Sequence, residues 1–177
     1  SWAAKVDGHR FYGVTIASSN ITLVYDISVG IWYNWTTPSG AYLPYAYATI
    51  DATNKVRFFH ASSGEQFHLL TSEFGDDGIP FTVDIYTPNF DAGTRRYKTL
   101  SKLSVFADQV NGAELELSWS DDDYQTWTEP QPVDLSTDDP FWADLGSFKK
   151  RAFRLSHTAL APLRLRALEA YVDAGAT

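Results

Sequence analysis

The chain has 177 residues, a formal charge of −8, 44% apolar and 15% aromatic content, and neither Cys nor Met. Zero Cys excludes disulfides and thiolate metal sites, and the acidic balance excludes a general phosphate-gripping surface, because nucleic-acid affinity rests mainly on Lys and Arg. No run approaches eighteen apolar residues and no charged-then-apolar leader is visible, so neither a membrane span nor an address is expected; the lack of Met, position 1 included, fits a processed chain or a piece of a longer one.

Val, Ile, Thr, Tyr, Phe and Trp dominate the ordered stretches, which favours sheet over helix. Turn pairs fall between them at Asp7-Gly8, Ser39-Gly40, Ser63-Gly64, Asp77-Gly78 and Asn111-Gly112, the Asp-Gly and Asn-Gly cases being the strongest hairpin signals. The pattern predicts strands over 10–17, 21–27, 31–37, 43–51, 55–60, 66–72, 80–87, 98–107, 113–120, 125–129, 150–157 and 163–172. The expected class is all-β: propeller-blade-like hairpins followed by an antiparallel sandwich, immunoglobulin-like or jelly-roll-like.

Two early stretches are weakly alike, Leu23 to Trp32 and Arg57 to Phe67. Each is a strand of aromatic and β-branched residues, a turn closing on Gly30 or Gly64, and a strand carrying an aromatic. A spacing of roughly 34 residues between those glycines is of the order of a propeller-blade repeat. One or two blades cannot bury a propeller's faces alone, so residues 1–79 are expected to be the tail end of a longer propeller, or to lean on the following domain or on another chain. The segment Phe74-Gly-Asp-Asp-Gly-Ile-Pro80 marks the boundary, and 80–177 reads as a two-sheet sandwich.

The decamer from Ser118 to Trp127 is the most informative segment. Leu115, Leu117 and Trp119 alternate with Glu114, Glu116 and Ser118, the period of a strand with one buried face. Asp121, Asp122 and Asp123 then supply carboxylates that accept bonds from turn amides, and Trp127 is expected to re-enter the sheet. The hairpin resembles the Asp-box of sialidases and related propellers, Ser-x-Asp-x-Gly-x-Thr-Trp, where the carboxylate shapes the turn and does no chemistry. Ser120, Asp121, Asp122, Asp123, Thr126 and Trp127 are therefore read as a structural turn. In Leu160 to Ala174, composition argues helix, but Leu163, Leu165 and Ala167 alternate with Arg164, Arg166 and Leu168, and Pro162 lacks the amide that a helix interior needs. A strand is expected there.

Val24-Tyr25-Asp26 with Gly30-x-Trp32, Val56-x-Phe58 with Ser63-Gly64 and Phe67, Asp76-Asp77-Gly78-x-Pro80, Thr87-Pro88, the decamer, and Trp142-x-x-Leu145-Gly146 with Arg151-x-Phe153-Arg154 follow one another in this order. The arrangement resembles the C-terminal part of the packaged DNA stabilisation protein, the tail hub or nozzle, of short-tailed phages. It departs from that family at Asp123 and Tyr124, where glycines are usual. The resemblance implies a non-enzymatic virion component, made in the bacterial cytoplasm and located in the phage tail, that forms a ring of its own copies. That ring would extend the DNA channel below the portal, meet portal-side and distal tail proteins, and help retain the genome. Duplex DNA would pass without specific binding, and no membrane or cofactor is involved.

Interface candidates are the aromatics Trp32, Trp35 and Tyr45 and the basic residues Arg95, Arg96, Lys149 and Arg151. The competing reading is a carbohydrate-binding module, for which Trp32, Tyr33, Trp35, Tyr42, Tyr45 and Tyr47 would supply an exposed row of rings. For an enzyme the signals are thin: His60 and His68 are separated by an expected turn, no third metal ligand stands at diagnostic spacing, and no Gly-x-Ser-x-Gly elbow occurs.

Overall fold

The computed structural model describes all residues except 7, 38–39, 43, 51–54, 61–63, 71, 77 and 175–177, and the backbone alone at 41, 45–50, 55, 60 and 174. The protein is all-β. Its chain divides into two compact units, Ser1–Asp76 and Asp77–Thr177.

In the first unit β1 (Trp2–Val6), β2 (His9–Ile16), β3 (Ile21–Asp26), β4 (Ile31–Thr37) and β5 (Gly40–Ala41) form a five-stranded sheet in sequential antiparallel order. A single 3₁₀ turn, Ala17–Ser19, links β2 to β3. A second, three-stranded meander consists of β6 (Pro44–Ile50), β7 (Lys55–His60) and β8 (Gln66–Leu69). The core is built from both sheets: Trp2, Val24, Val56 and Phe58 are buried, with Phe11, Trp35, Tyr42 and Leu69 packed on them. Trp2 stands opposite Gly13 in the ladder, and a Cβ on Gly13 would lie 2.1 Å from the Trp2 indole. The missing side chain is what lets the ring cross β2 to reach Phe58, 4.7 Å away. β1 is not among the expected strands, although Trp2, Ala4 and Val6 all turn toward this core.

The two-residue strands β9 (Gly75–Asp76) and β10 (Ile79–Pro80) stand either side of the division. In the second unit, β11 (Thr82–Tyr86), β17 (Ala152–Thr158), β13 (Glu114–Ser120) and β14 (Gln131–Asp134) make one antiparallel sheet. The other has β12 (Lys98–Ala107) at its centre, flanked by β15 (Phe141–Ala143) and β16 (Ser147–Phe148), and by β18 (Leu165–Ala174). Alternate residues of both sheets meet in one core: Leu100, Leu103, Trp142 and Phe148 from one side, Leu115, Leu117, Phe153 and Leu155 from the other. His157 is buried with them, Nδ1 2.8 Å from the Glu114 carbonyl and Nε2 3.1 Å from that of Ala161.

β18 is a strand despite its helix-forming composition, because Leu168, Ala170 and Val172 pack on this core at alternate positions. The strand expected at 125–129 is absent. Residues 121–130 form a loop that touches β13 at Thr128, whose amide donates to the Trp119 carbonyl at 3.0 Å, and ladder pairing resumes at β14, where Gln131 pairs with Leu117. The reason lies in the bonding of that loop.

Candidate functional site

Asp122 organises the acidic turn. Its Oδ1 accepts bonds from the Ser120 hydroxyl at 2.7 Å, the Thr126 amide at 2.9 Å and the Gln125 amide at 3.1 Å, and its Oδ2 accepts the Thr126 hydroxyl at 2.6 Å. The Ser120 oxygen takes the Tyr124 amide at 3.0 Å, so one Ser-Asp pair accepts three consecutive amides, those of Tyr124, Gln125 and Thr126. These bonds, the Thr126 hydroxyl foremost, hold the Asp122 carboxyl down at about 2. Asp123 and Tyr124 have φ of 60° and 67°, the left-handed region where glycine is usual. Trp127 does not enter a ladder; it packs half-buried against Tyr86, 5.5 Å away, and Tyr124, 6.0 Å away.

The flanking carboxylates are engaged as well. Asp121 receives Nε and NH2 of Arg151 at 2.7 and 2.8 Å, a two-pronged pair, and Asp123 accepts the Asn89 amide and the Lys150 ammonium. Arg151 is 2% exposed, sends NH1 to the Leu145 carbonyl at 2.6 Å, and lies over the rings of Trp119 and Phe148. Buried by its own chain, it joins the turn to the core, so the interface assignment for Arg151 is corrected to an internal one. Lys98, which the sequence did not single out, is also buried; its ammonium donates to the carbonyls of Thr94 at 2.8 Å and Lys149 at 2.5 Å and sits 4.9 Å from the Phe148 ring.

The other interface candidates separate into buried and exposed. Trp35 packs in the first unit's core, 5.5 Å from Trp2, so its surface assignment is corrected too. Trp32 is 55% exposed. The Tyr45 side chain, like those of Tyr47 and His60, lies outside the described residues. Arg95, Arg96 and Lys149 are exposed, Lys149 over the Tyr97 ring.

Two exposed faces carry aromatic rings. On the first unit Tyr12, Tyr25 and Trp32 stand in one register row across β2, β3 and β4, with the Tyr25 and Trp32 centroids 5.0 Å apart. Leu23, Ile16 and Val14 share that face, and so do Lys5 and Arg10. On the second unit Phe106, Phe141 and Tyr171 are exposed on the outer side of the β12 sheet. Between the last two lies the Lys102 ammonium, 4.5 and 5.6 Å from the ring centres and 3.0 Å from Asp139. Alternation along β2 to β4 carried the signal for the first face; the second is visible only once β15 and β18 are known to flank β12.

Among the described residues no group of three or more His, Asp or Glu is arranged to hold a metal. No protein-family model matches the chain, and no curated protein matches it.

Proposed function

We propose that the chain is a structural component of a short-tailed phage virion, part of the tail hub or nozzle, and that it acts by assembly. The observation that carries this is the acidic turn: Asp121, Asp122 and Asp123 all have their carboxylates committed to bonds inside the chain, while apolar rings on both units face outward. Exposed apolar patches of that kind mark surfaces that other molecules cover. Both sheets of the first unit are sequential antiparallel meanders, of five and three strands, an order that propeller blades share with other meanders, and this supports the blade-like part of the reading. In this role copies of the chain form a ring with portal-side and distal tail proteins above and below. A net charge of −8 keeps duplex DNA from adhering to the wall as it passes. Deleting the gene from the phage that carries it should leave heads that package DNA and then lose it; particles that keep their genome and their tails would overturn the proposal.

The row of Tyr12, Tyr25 and Trp32 favours a second reading, a carbohydrate-binding surface. Leu23 and Ile16 beside it speak for a protein partner instead, since aliphatic side chains offer a sugar neither a ring face nor a hydrogen bond. Binding of the intact chain on a glycan array would decide for the sugar.

A further inference from the structure

The two exposed aromatic faces carry opposite charge. Among the described residues of β1 to β4, the only charged side chains on the face of Tyr12 and Trp32 are Lys5 and Arg10, which stand opposite each other in the ladder. Asp26, the acid in the same strands, lies on the opposite face, buried under His9 at 2.5 Å. A basic face on a chain of net charge −8 is out of keeping with its composition.

On the second unit the signs reverse. Lys102 is neutralised by Asp139, and Arg164 and Arg166, near the start of β18, share Asp108 and leave one positive charge at that end. Further along β18, Glu169 and Asp173 are exposed on the side of Tyr171, and among the described residues neither has an ion pair.

We infer that the Lys5–Arg10 face of one copy docks on the Glu169–Asp173 face of a second copy, rings against rings, head to tail. This rests on the assembly role proposed above and names the surfaces that would carry it. Both faces are apolar enough to gain from mutual burial, and two cations meet two carboxylates. A self-facing arrangement would set like charge against like on either face, at a cost, whereas a heterologous contact satisfies both and generates a ring or a filament. Four strands spaced as in an ordinary sheet present a projected area of about 400 Å², against about 800 Å² of accessible surface per partner in stable pairs. One such contact is weak, and its effect is read at high protein concentration.

The test is a charge swap in the full chain, followed by sedimentation equilibrium at low salt. K5E/R10E gives a chain acidic on both faces, and E169K/D173K one basic on both. Each alone should associate at least about tenfold more weakly than the wild type, and an equimolar mixture should regain association, because every contact in the mixture again joins opposite signs. Circular dichroism of each variant checks that it is folded, and W32S should weaken association with no change of charge. A wild type that stays monomeric at every concentration overturns the inference together with the assembly role of the isolated chain. Association that survives both reversals, or single variants that the mixture does not rescue, overturns the choice of faces and leaves the assembly role standing.

Discussion

The two units solve the problem of burying a small sheet in different ways. Among the described residues the second unit has a core of twelve buried hydrophobic side chains supplied by both of its sheets, and the first has four, two of them aromatic. The larger core also tolerates two buried cations, Arg151 and Lys98, because carbonyls, rings and one carboxylate surround them. The first unit has no such reserve. It depends on a few rings meeting edge to face around Trp2, and it leaves Trp32, Tyr12 and Leu23 in solvent. A unit with few buried groups opens first, so the contrast predicts two unfolding transitions for the whole chain, the first unit's at lower temperature.

The contrast can be broken from the second unit by uncoupling the acidic turn from the core. Asp121→Ala leaves the Arg151 guanidinium buried with only the Leu145 carbonyl and two rings. Losing one partner of a buried pair costs about 3–5 kcal/mol. Because the Asp121 side chain is 42% exposed, water reaches the site and the low end, about 3 kcal/mol, is expected. The upper transition in a urea titration should fall by that amount, with partial recovery in the double variant D121A/R151M. A drop below about 1 kcal/mol would show that Arg151 does not couple turn to core.

The first unit breaks at Gly13. Gly13→Ala places a methyl group inside the Trp2 ring, 2.1 Å from Cε2, and either the indole leaves the core or the strand shifts. Overpacking of this kind costs about 1–3 kcal/mol. Only the lower transition should move, and an equal shift in both would mean that the units unfold as one.

Acid should act mainly on the second unit. Asp84, Asp122, Asp123 and Asp134 all have carboxyls held below the usual range, by the Arg154 guanidinium, the Thr126 hydroxyl, the Lys150 ammonium and the Ser136 amide respectively. In the first unit Asp26 is lowered: burial raises it, and the bonds from His9 and Ser28 outweigh that. A carboxyl depressed in the folded state stabilises above its unfolded value, about 3.9, and that stability is lost as the pH falls through the folded value. For Asp122 the window runs from about 4 down to about 2. Melting curves between pH 6 and pH 2.5 should therefore show the upper transition falling toward the lower one. A constant gap between the two would contradict this.

Much of this was legible in the residues. Glycines 8, 40, 64, 78 and 112, read as turns, all have positive φ, and β12 and β4 span 98–107 and 31–37 as expected. The strand at β18 followed from Pro162 and the alternation after it, against helix propensity. The strand expected around Trp127 failed because the Asp122 bonds carry the chain through a longer loop than a two-strand hairpin requires. Of the buried cations, Arg151 was misread and Lys98 was not singled out, yet the signal was there. Counting back by twos from Leu155 and Phe153 puts Arg151, the residue before β17, on the inward side, and counting back from Leu100 does the same for Lys98 in β12. Positive charge in a basic run outweighed parity. The pairing that makes each burial tolerable comes from segments about 30 and 51 residues away, beyond the reach of local pattern.

The smallest effect tests how far the acidic turn departs from the glycine-bearing pattern it resembles. Tyr124 sits at φ 67°, a conformation that costs a side-chain-bearing residue about 1–2 kcal/mol. Against that, its hydroxyl donates to the Thr87 carbonyl at 3.1 Å and its ring lies on Trp127, contacts worth about 0.5–1.5 kcal/mol each. Glycine also adds unfolded-state freedom of about 0.5–1 kcal/mol. Tyr124→Gly removes the strain and the contacts together and keeps the amide bond to Ser120, so the upper transition should stay within about 1 kcal/mol of the wild type. A loss beyond about 2 kcal/mol would mean that the Tyr124 ring anchors the loop on Trp127 and that Asp122 alone does not hold it.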